Sequence, residues 1–151
     1  MASGNMGQCA AAVIVLFASL GSAATTNTWD TDVGTPGAQD GSGTWTAQAD
    51  DSNWWNNAAA NTNWSNSAAP DLTIVGAGAG AAGAITLGEA ITVGHLRFNA
   101  PGSGSYTIDG NGNALTFGMN YPLLWVSSGV TVTNRANSDN TTRDLNLSGG
   151  G

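Results

Sequence analysis

Apolar and polar residues alternate in short runs along the second half of the chain. From residue 72 onward, an apolar residue, a mostly polar one and a second apolar one recur as triplets, with five to fifteen residues from one triplet to the next. Such alternation predicts strands with one buried face, and the frequent Thr and β-branched residues favour them. The nine predicted strands are Leu72-Thr73-Ile74, Ile85-Thr86-Leu87, Ile91-Thr92-Val93, Leu96-Arg97-Phe98, Tyr106-Thr107-Ile108, Leu115-Thr116-Phe117, Leu124-Trp125-Val126, Val130-Thr131-Val132 and Leu145-Asn146-Leu147. No window here has a helical period, so we predict an all-β fold.

The length of these strands favours one β architecture over another. Strands of a β-sandwich usually have five or six residues, whereas three-residue strands between Gly- and Asn-rich turns, as at 101–104 and 110–113, are typical of a parallel β-helix. At roughly 20 to 25 residues for each turn of such a helix, residues 72–147 provide about three or four turns. We therefore expect a short β-solenoid over 72–151, in an array that is incomplete at its C-terminal end.

The segment 25–71 has a different texture. It contains five of the six tryptophans, is rich in Asn, Asp, Gly and Ala, and shows little apolar alternation. We expect this segment to be a leader whose aromatic rings cap the first turn of the solenoid.

Residues 1–24 are predicted to be a secretory signal peptide that forms a helix before cleavage. The apolar run 9–20 is too short to cross a hydrocarbon core of about 30 Å, and the small residues at 21–24 suit a signal peptidase. The segment before the run lacks Lys and Arg, which leaves a buried N-terminal helix as the alternative. Because Cys9 lies in this segment, the mature chain would have no cysteine for a disulfide, a nucleophile or a metal.

Composition argues against several classes of partner. Ten acidic and three basic residues give a formal net charge of −7, and only 9% of the residues are charged, against roughly 25% in an ordinary soluble domain. Nucleic-acid binding needs a cationic surface, and docking on an anionic membrane needs clusters of Lys and Arg. We therefore expect no nucleic-acid partner, and no membrane insertion of the mature segment.

The order of these motifs resembles a known family. The motifs are Thr28-Trp29-Asp30, Gly43-Thr44-Trp45, Asn53-Trp54, Asn63-Trp64-Ser65, Ala69-Pro70-Asp71 and the strand triplets from Ile85 to Phe117. Over residues 28–150 the chain is similar to the N-terminal end of bacterial proteins built from autotransporter-associated β-strand repeats. The resemblance implies a right-handed parallel β-helix that serves as a passenger, secreted or exposed on the cell surface beyond the outer membrane. It implies no active site.

One glycine motif matches a nucleotide-binding pattern without its context. Gly78-x-Gly80-x-x-Gly83 fits the dinucleotide fingerprint and follows an apolar strand. That fingerprint requires a helix whose N-terminus faces the pyrophosphate, but a strand is predicted directly after the motif. We therefore expect a flexible Gly/Ala loop and assign no cofactor.

No metal site or catalytic residue is expected. Asp109-x-Asn111-x-Asn113 has the oxygen spacing of half a calcium loop, but the bidentate carboxylate that completes such a loop is missing, so a type I′ turn is favoured. His95 is the only histidine, and we expect it on the surface. A polysaccharide lyase that uses Arg97, Arg135 or Arg143 would need clustered carboxylates, and the acids of the strand half are too sparse for that, so we expect no enzyme.

The tryptophans provide the alternative function. Trp54, Trp55 and Trp64 lie among Asn residues in two segments ten residues apart, and aromatic faces beside amides can bind sugar rings. The sequence therefore leaves two hypotheses: a structural and interaction protein whose partners are further repeats of the same polypeptide, or a secreted carbohydrate-binding module that contacts a polysaccharide or another cell-surface ligand through these three residues.

Overall fold

The computed structural model describes residues 24–135 and 145–148, which form strands and loops without a helix. The all-β prediction is thus confirmed for these residues. Except for Ala24, the predicted signal helix lies outside them. Among the described residues there is no helix long and apolar enough to cross a bilayer.

The predicted strands are present, and the leader contributes more. Eight of the nine predicted triplets lie wholly within strands. The exception is Val130-Thr131-Val132, whose strand begins one residue later, at Thr131. Four strands of the leader were not predicted. In chain order the strands are β1 (Thr26–Trp29), β2 (Gly43–Trp45), β3 (Trp54–Trp55), β4 (Asn61–Thr62), β5 (Leu72–Val75), β6 (Ala84–Leu87), β7 (Ile91–Val93), β8 (His95–Phe98), β9 (Tyr106–Asp109), β10 (Leu115–Phe117), β11 (Leu124–Val126), β12 (Thr131–Arg135) and β13 (Leu145–Ser148).

The described strands form three sheets in which parallel pairing dominates. The first sheet has the order β11-β8-β5-β1-β3-β4, with β1, β5, β8 and β11 parallel and the short β3 and β4 antiparallel at one edge. The second sheet has the order β13-β12-β9-β6-β2, and only β13 is antiparallel to its neighbour. The third sheet pairs β7 with β10 in parallel. The chain visits the first, second and third sheets in this order from β5 to β7 and again from β8 to β10.

The strand register shows the length of each passage around the three sheets. Leu72 of β5 pairs with His95 of β8, 23 residues later, and Ile91 of β7 pairs with Leu115 of β10, 24 residues later. Because side chains alternate along a strand, every passage places apolar residues inward at matching positions. Val75 and Phe98, for example, are paired neighbours and are both buried.

The core at the leader end is made of tryptophan. Trp29, Trp45, Trp54 and Trp64 are at most 2% exposed, and their ring centroids lie 4.6–5.2 Å apart in tilted and edge-to-face pairs. Beside them, the side-chain amide of Asn66 makes the hydrogen bonds to β7 that the backbone of a neighbouring strand would make. Its Oδ1 accepts a hydrogen bond from the backbone N–H of Thr92 on β7, and its Nδ2 donates to the carbonyl of Ala90. The leader thus closes one end of the apolar core.

Candidate functional site

The structure separates the three tryptophans that the sequence offered as glycan contacts. Trp54 and Trp64 are 1% and 2% exposed and pack against other indoles, so neither presents a ring face to solvent. Trp55 is partly exposed. The difference follows from strand geometry, because adjacent residues on a strand face opposite sides, and β3 consists of Trp54 and Trp55 alone.

Trp55 belongs to a line of residues that crosses the outside of the first sheet. On each strand of this sheet, one residue pairs with the corresponding residue of the neighbouring strand. We call the line that these paired residues form the outer row. In strand order from β4 to β11, its members are Asn61, Trp55, Thr28, Ile74, Arg97 and Trp125. From β3 to β11 there are four strand steps, which at about 4.8 Å each place the two tryptophan positions about 19 Å apart.

A cleft lies over the middle of the outer row. Its volume is about 270 Å³, and Trp55, Thr28 and Ile74 of the row contribute to its wall together with Asn57 and Asn99. On its other side, Trp55 also lines a second cleft of about 310 Å³. The full linings of the two clefts are Thr28, Ala38, Trp55, Asn57, Ile74, Gly76, Ala77 and Asn99, and Val33, Gly34, Thr35, Pro36, Ser52, Trp55, Ala59, Ala60 and Asn61. These linings contain no charged side chain.

Three asparagines around the clefts are held in place by hydrogen bonds. Asn57, in the left-handed region with a φ of 60°, donates from Nδ2 to the carbonyl of Thr26 at 3.0 Å. Asn61 donates from Nδ2 to the carbonyl of Ser52 at 3.0 Å. Asn99 accepts from the Ser127 hydroxyl at Oδ1, at 3.1 Å. These bonds leave the Asn61 Oδ1 and the Asn99 Nδ2 without a partner among the described residues.

Arg97 and Trp125 form the far end of the outer row. The Arg97 Cζ lies 5.2 Å from the centroid of the Trp125 ring, within the range of a cation–π contact. Trp125 is 57% exposed. No ion pair between described residues involves Arg97. The guanidinium therefore supports an exposed indole and is not neutralised by a carboxylate of the described chain.

The glycine motif surrounds a carboxylate of the protein itself. Asp40, 6% exposed, accepts hydrogen bonds at Oδ2 from the backbone N–H of Ala79, Gly80 and Gly102, at 3.0 to 3.2 Å. Its Oδ1 accepts from the N–H of Ala77 at 2.8 Å and from the Tyr106 hydroxyl at 2.5 Å. We call these five donors and the carboxylate the Asp40 cradle. The predicted loop is present and a strand follows it, but the expectation of a flexible loop is wrong, since the cradle fixes the loop to three parts of the chain.

The cradle also perturbs both titrating groups. Burial alone would raise the pKa of Asp40, but the hydrogen bonds from the Tyr106 hydroxyl and the backbone N–H groups of Ala77, Gly80 and Gly102 outweigh it and hold the pKa below its usual 3.8. Burial, followed by the hydrogen bond to Asp40 and its negative charge, raises the pKa of Tyr106 far above its usual 10.0. Asp40 is thus ionised and Tyr106 protonated at neutral pH.

The remaining candidates from the sequence have structural surroundings. Asn111 and Gly112 both have positive φ, and the Asn113 N–H donates to the carbonyl of Gly110 at 2.7 Å, which confirms the predicted type I′ turn. His95 is partly exposed and accepts a hydrogen bond at Nδ1 from the N–H of Leu123. Within the described ranges, no group of three His, Cys, Asp or Glu residues is arranged to hold a metal ion.

Comparisons with protein families, with curated proteins and with solved structures found no match for this chain. The outer row with its two clefts is therefore the candidate site on geometry alone.

Proposed function

We propose that the chain is an exported structural and interaction protein without a catalytic role: a β-helical, passenger-type segment of a bacterial protein that is secreted or held at the cell surface. The observation that carries the proposal is the order of the parallel strands. Two successive passages visit three sheets in the same order at intervals of 23 and 24 residues. A scaffold that repeats in this way presents an extended surface for binding, as solenoid proteins do.

The strand order supports a β-helix of right-handed sense. A chain that leaves β5, passes through β6 and β7 and returns to pair in parallel as β8 makes a crossover connection. Such connections are right-handed in about 98% of cases. Parallel pairing between every passage and the next is also what distinguishes a solenoid from a sandwich, whose sheets are antiparallel.

We infer that the partners are further repeats of the same polypeptide, because one edge of the first sheet is exposed. β11 is the last strand of this sheet among the described residues. Leu123, Leu124 and Trp125, on or next to this strand, are 60%, 46% and 57% exposed. An edge of this kind offers unpaired backbone groups to another strand, and a further parallel strand would bury part of this apolar surface.

One contact supports cleavage of the signal peptide after Ala24. The backbone nitrogen of Thr25 lies 2.8 Å from Oδ2 of Asp71. Cleavage between Ala24 and Thr25 would turn this nitrogen into a charged amine, and the present hydrogen bond would become an ion pair. The new N-terminus would thus be tied to the start of β5, although an exposed pair of this type adds at most about 1 kcal/mol.

Export is tested by producing residues 1–151, with nothing added before Met1, in a Gram-negative host. We expect the protein in the periplasm or the medium, with Thr25 as its first residue in N-terminal sequencing. The matched control replaces both Ala23 and Ala24 with Asp, which removes the small residues at the cleavage site, and it should stay uncleaved. A protein that keeps residues 1–24 and stays in the cytoplasm would refute the proposal.

A further inference from the structure

We propose that the outer row and its two clefts bind a neutral, linear, β-linked polysaccharide. The site differs from the one expected from sequence. Of the three tryptophans expected there, only Trp55 has an accessible ring, and Trp125 joins it from a strand 70 residues further along the chain. The inference does not depend on export, because it concerns the folded protein alone.

The two tryptophans define the length of the ligand. Trp55 and Trp125 occupy the same register line on one side of the first sheet, about 19 Å apart at the usual strand spacing. Aromatic faces present apolar surface that can stack on the carbon-bound faces of a sugar ring. A single sugar is too short to reach both positions, whereas a chain of several linked hexoses can contact both.

Fixed amides beside Trp55 provide hydrogen-bonding groups for hydroxyls. The Asn99 Nδ2 is a donor and the Asn61 Oδ1 an acceptor, and neither has a partner among the described residues, although the other end of each amide is anchored. Because these amides are already ordered, little rotamer entropy is lost when a ligand binds. A donor in one cleft and an acceptor in the other suit hydroxyl groups, which can play both roles.

The charge distribution selects a neutral ligand. Neither cleft is lined by a charged side chain, and the chain as a whole carries a formal charge of −7, which repels polyanions. The cation at the far end, Arg97, lies over the ring of Trp125. We assign Arg97 as a positioning residue that fixes this indole, not as a partner for acidic sugars.

The shape of the site favours a straight ligand. The outer row runs across consecutive strands of one sheet, so its members follow a nearly straight path, bent only by the twist of the sheet. β-1,4-linked hexoses form extended ribbons with apolar faces, and cello-oligosaccharides are therefore the appropriate probes. Strongly curved α-linked chains would leave one of the two tryptophans without a contact.

The test measures binding of cellobiose and cellohexaose to the purified chain by calorimetry and by tryptophan fluorescence. We expect cellohexaose to bind more tightly than cellobiose. Trp55→Ala should weaken the binding of both sugars, and cellohexaose by about tenfold or more, which corresponds to at least 1.4 kcal/mol. Trp125→Ala should weaken cellohexaose by a similar factor and leave cellobiose unchanged, because the shorter sugar reaches only one tryptophan.

Two controls separate binding from folding. Tyr121→Ala removes an aromatic ring that is 91% exposed and lies outside the outer row, and it should bind like the unaltered protein. Circular dichroism of Trp55→Ala should show the native spectrum, since this ring is not part of the buried cluster. The proposal is overturned if the unaltered protein binds neither cellohexaose nor soluble xylan, if Trp55→Ala binds as before, or if polygalacturonate binds more tightly than the neutral sugars.

Discussion

Replacing Asp40 with alanine should strongly destabilise the protein, more than the same replacement of an exposed acidic residue. The substitution removes the acceptor of five hydrogen bonds, four from backbone N–H groups and one from Tyr106. A donor left without a partner costs about 1–3 kcal/mol when buried. The backbone donors are only partly buried, so water can reach some of them, and we take the lower value of about 1 kcal/mol for most. The four backbone donors alone then cost about 4 kcal/mol, and the loss of the buried bond to Tyr106 adds to this value.

Urea unfolding followed by tryptophan fluorescence measures this loss. With a slope of about 2 kcal/mol per molar urea, usual for a small protein, the midpoint should fall by at least about 2 M. Asp40→Asn should lose roughly half as much. Its amide can keep the three donors at Oδ2 if the new NH₂ group points towards Tyr106, whose hydroxyl can accept, and only the N–H of Ala77 then has no acceptor.

The matched control is Asp50→Ala, which removes the same charge from an exposed loop position and should leave the midpoint nearly unchanged. If Asp40→Ala unfolds at the same urea concentration as Asp50→Ala, the cradle does not hold the loops together and the reasoning is refuted.

Three further outcomes follow from the same structure. Hydrogen bonds lower the pKa of Asp40 from 3.8. The carboxylate therefore contributes fully to folding stability above about pH 5, and this contribution is lost as the pH falls through 3.8 towards the lower native pKa. Stability should thus fall less steeply with decreasing pH in Asp40→Ala than in the unaltered protein. Trp54→Ala should cost about 3–5 kcal/mol in urea unfolding, as for other buried tryptophans. Gly76→Ala should cost more than Gly112→Ala. Both glycines have positive φ, but only at Gly76 would the new Cβ meet a backbone oxygen, that of Asn99.

Each of these outcomes has a clear contrary result. Equal acid sensitivity of the unaltered protein and Asp40→Ala would show that this carboxylate does not titrate with folding. A cost for Trp54→Ala as small as that of Trp55→Ala would contradict the burial of the tryptophan cluster. Equal losses at Gly76 and Gly112 would mean that backbone conformation alone, and not the close approach to the Asn99 backbone, sets the cost.

The strands of the second half could be predicted because their information is local. Alternation of apolar and polar residues located the triplets from Leu72 onward, and Gly and Asn marked the turns. In the leader the strands are only two to four residues long, and β3 and β4 are too short to show a period. The pairing of β3 with β1 and of β4 with β3 gains stability from the packed indoles, which local sequence does not reveal.

The site could be predicted only in part, because it depends on register. A Trp-Trp pair on a strand requires one ring on each face, so the sequence does indicate that Trp54 and Trp55 differ. Nothing local shows which of the two is buried. The partnership of Trp55 with Trp125, and that of Asp40 with Tyr106, joins residues far apart in sequence, and both follow only once the spacing of successive passages is known.

The most direct test of the account is a disulfide across the third sheet. Thr92 of β7 and Thr116 of β10 are paired neighbours outside the core, at a separation that a disulfide can bridge. In a Cys9→Ser background, Thr92→Cys with Thr116→Cys should oxidise to an intramolecular disulfide, scored by thiol titration. The control pairs Thr92→Cys with Ala114→Cys, displaced by two residues to about 8 Å, and should stay reduced under the same conditions. Stacked passages in this register predict cross-linking of the first pair alone, whereas equal cross-linking of both pairs, or of neither, would contradict the account.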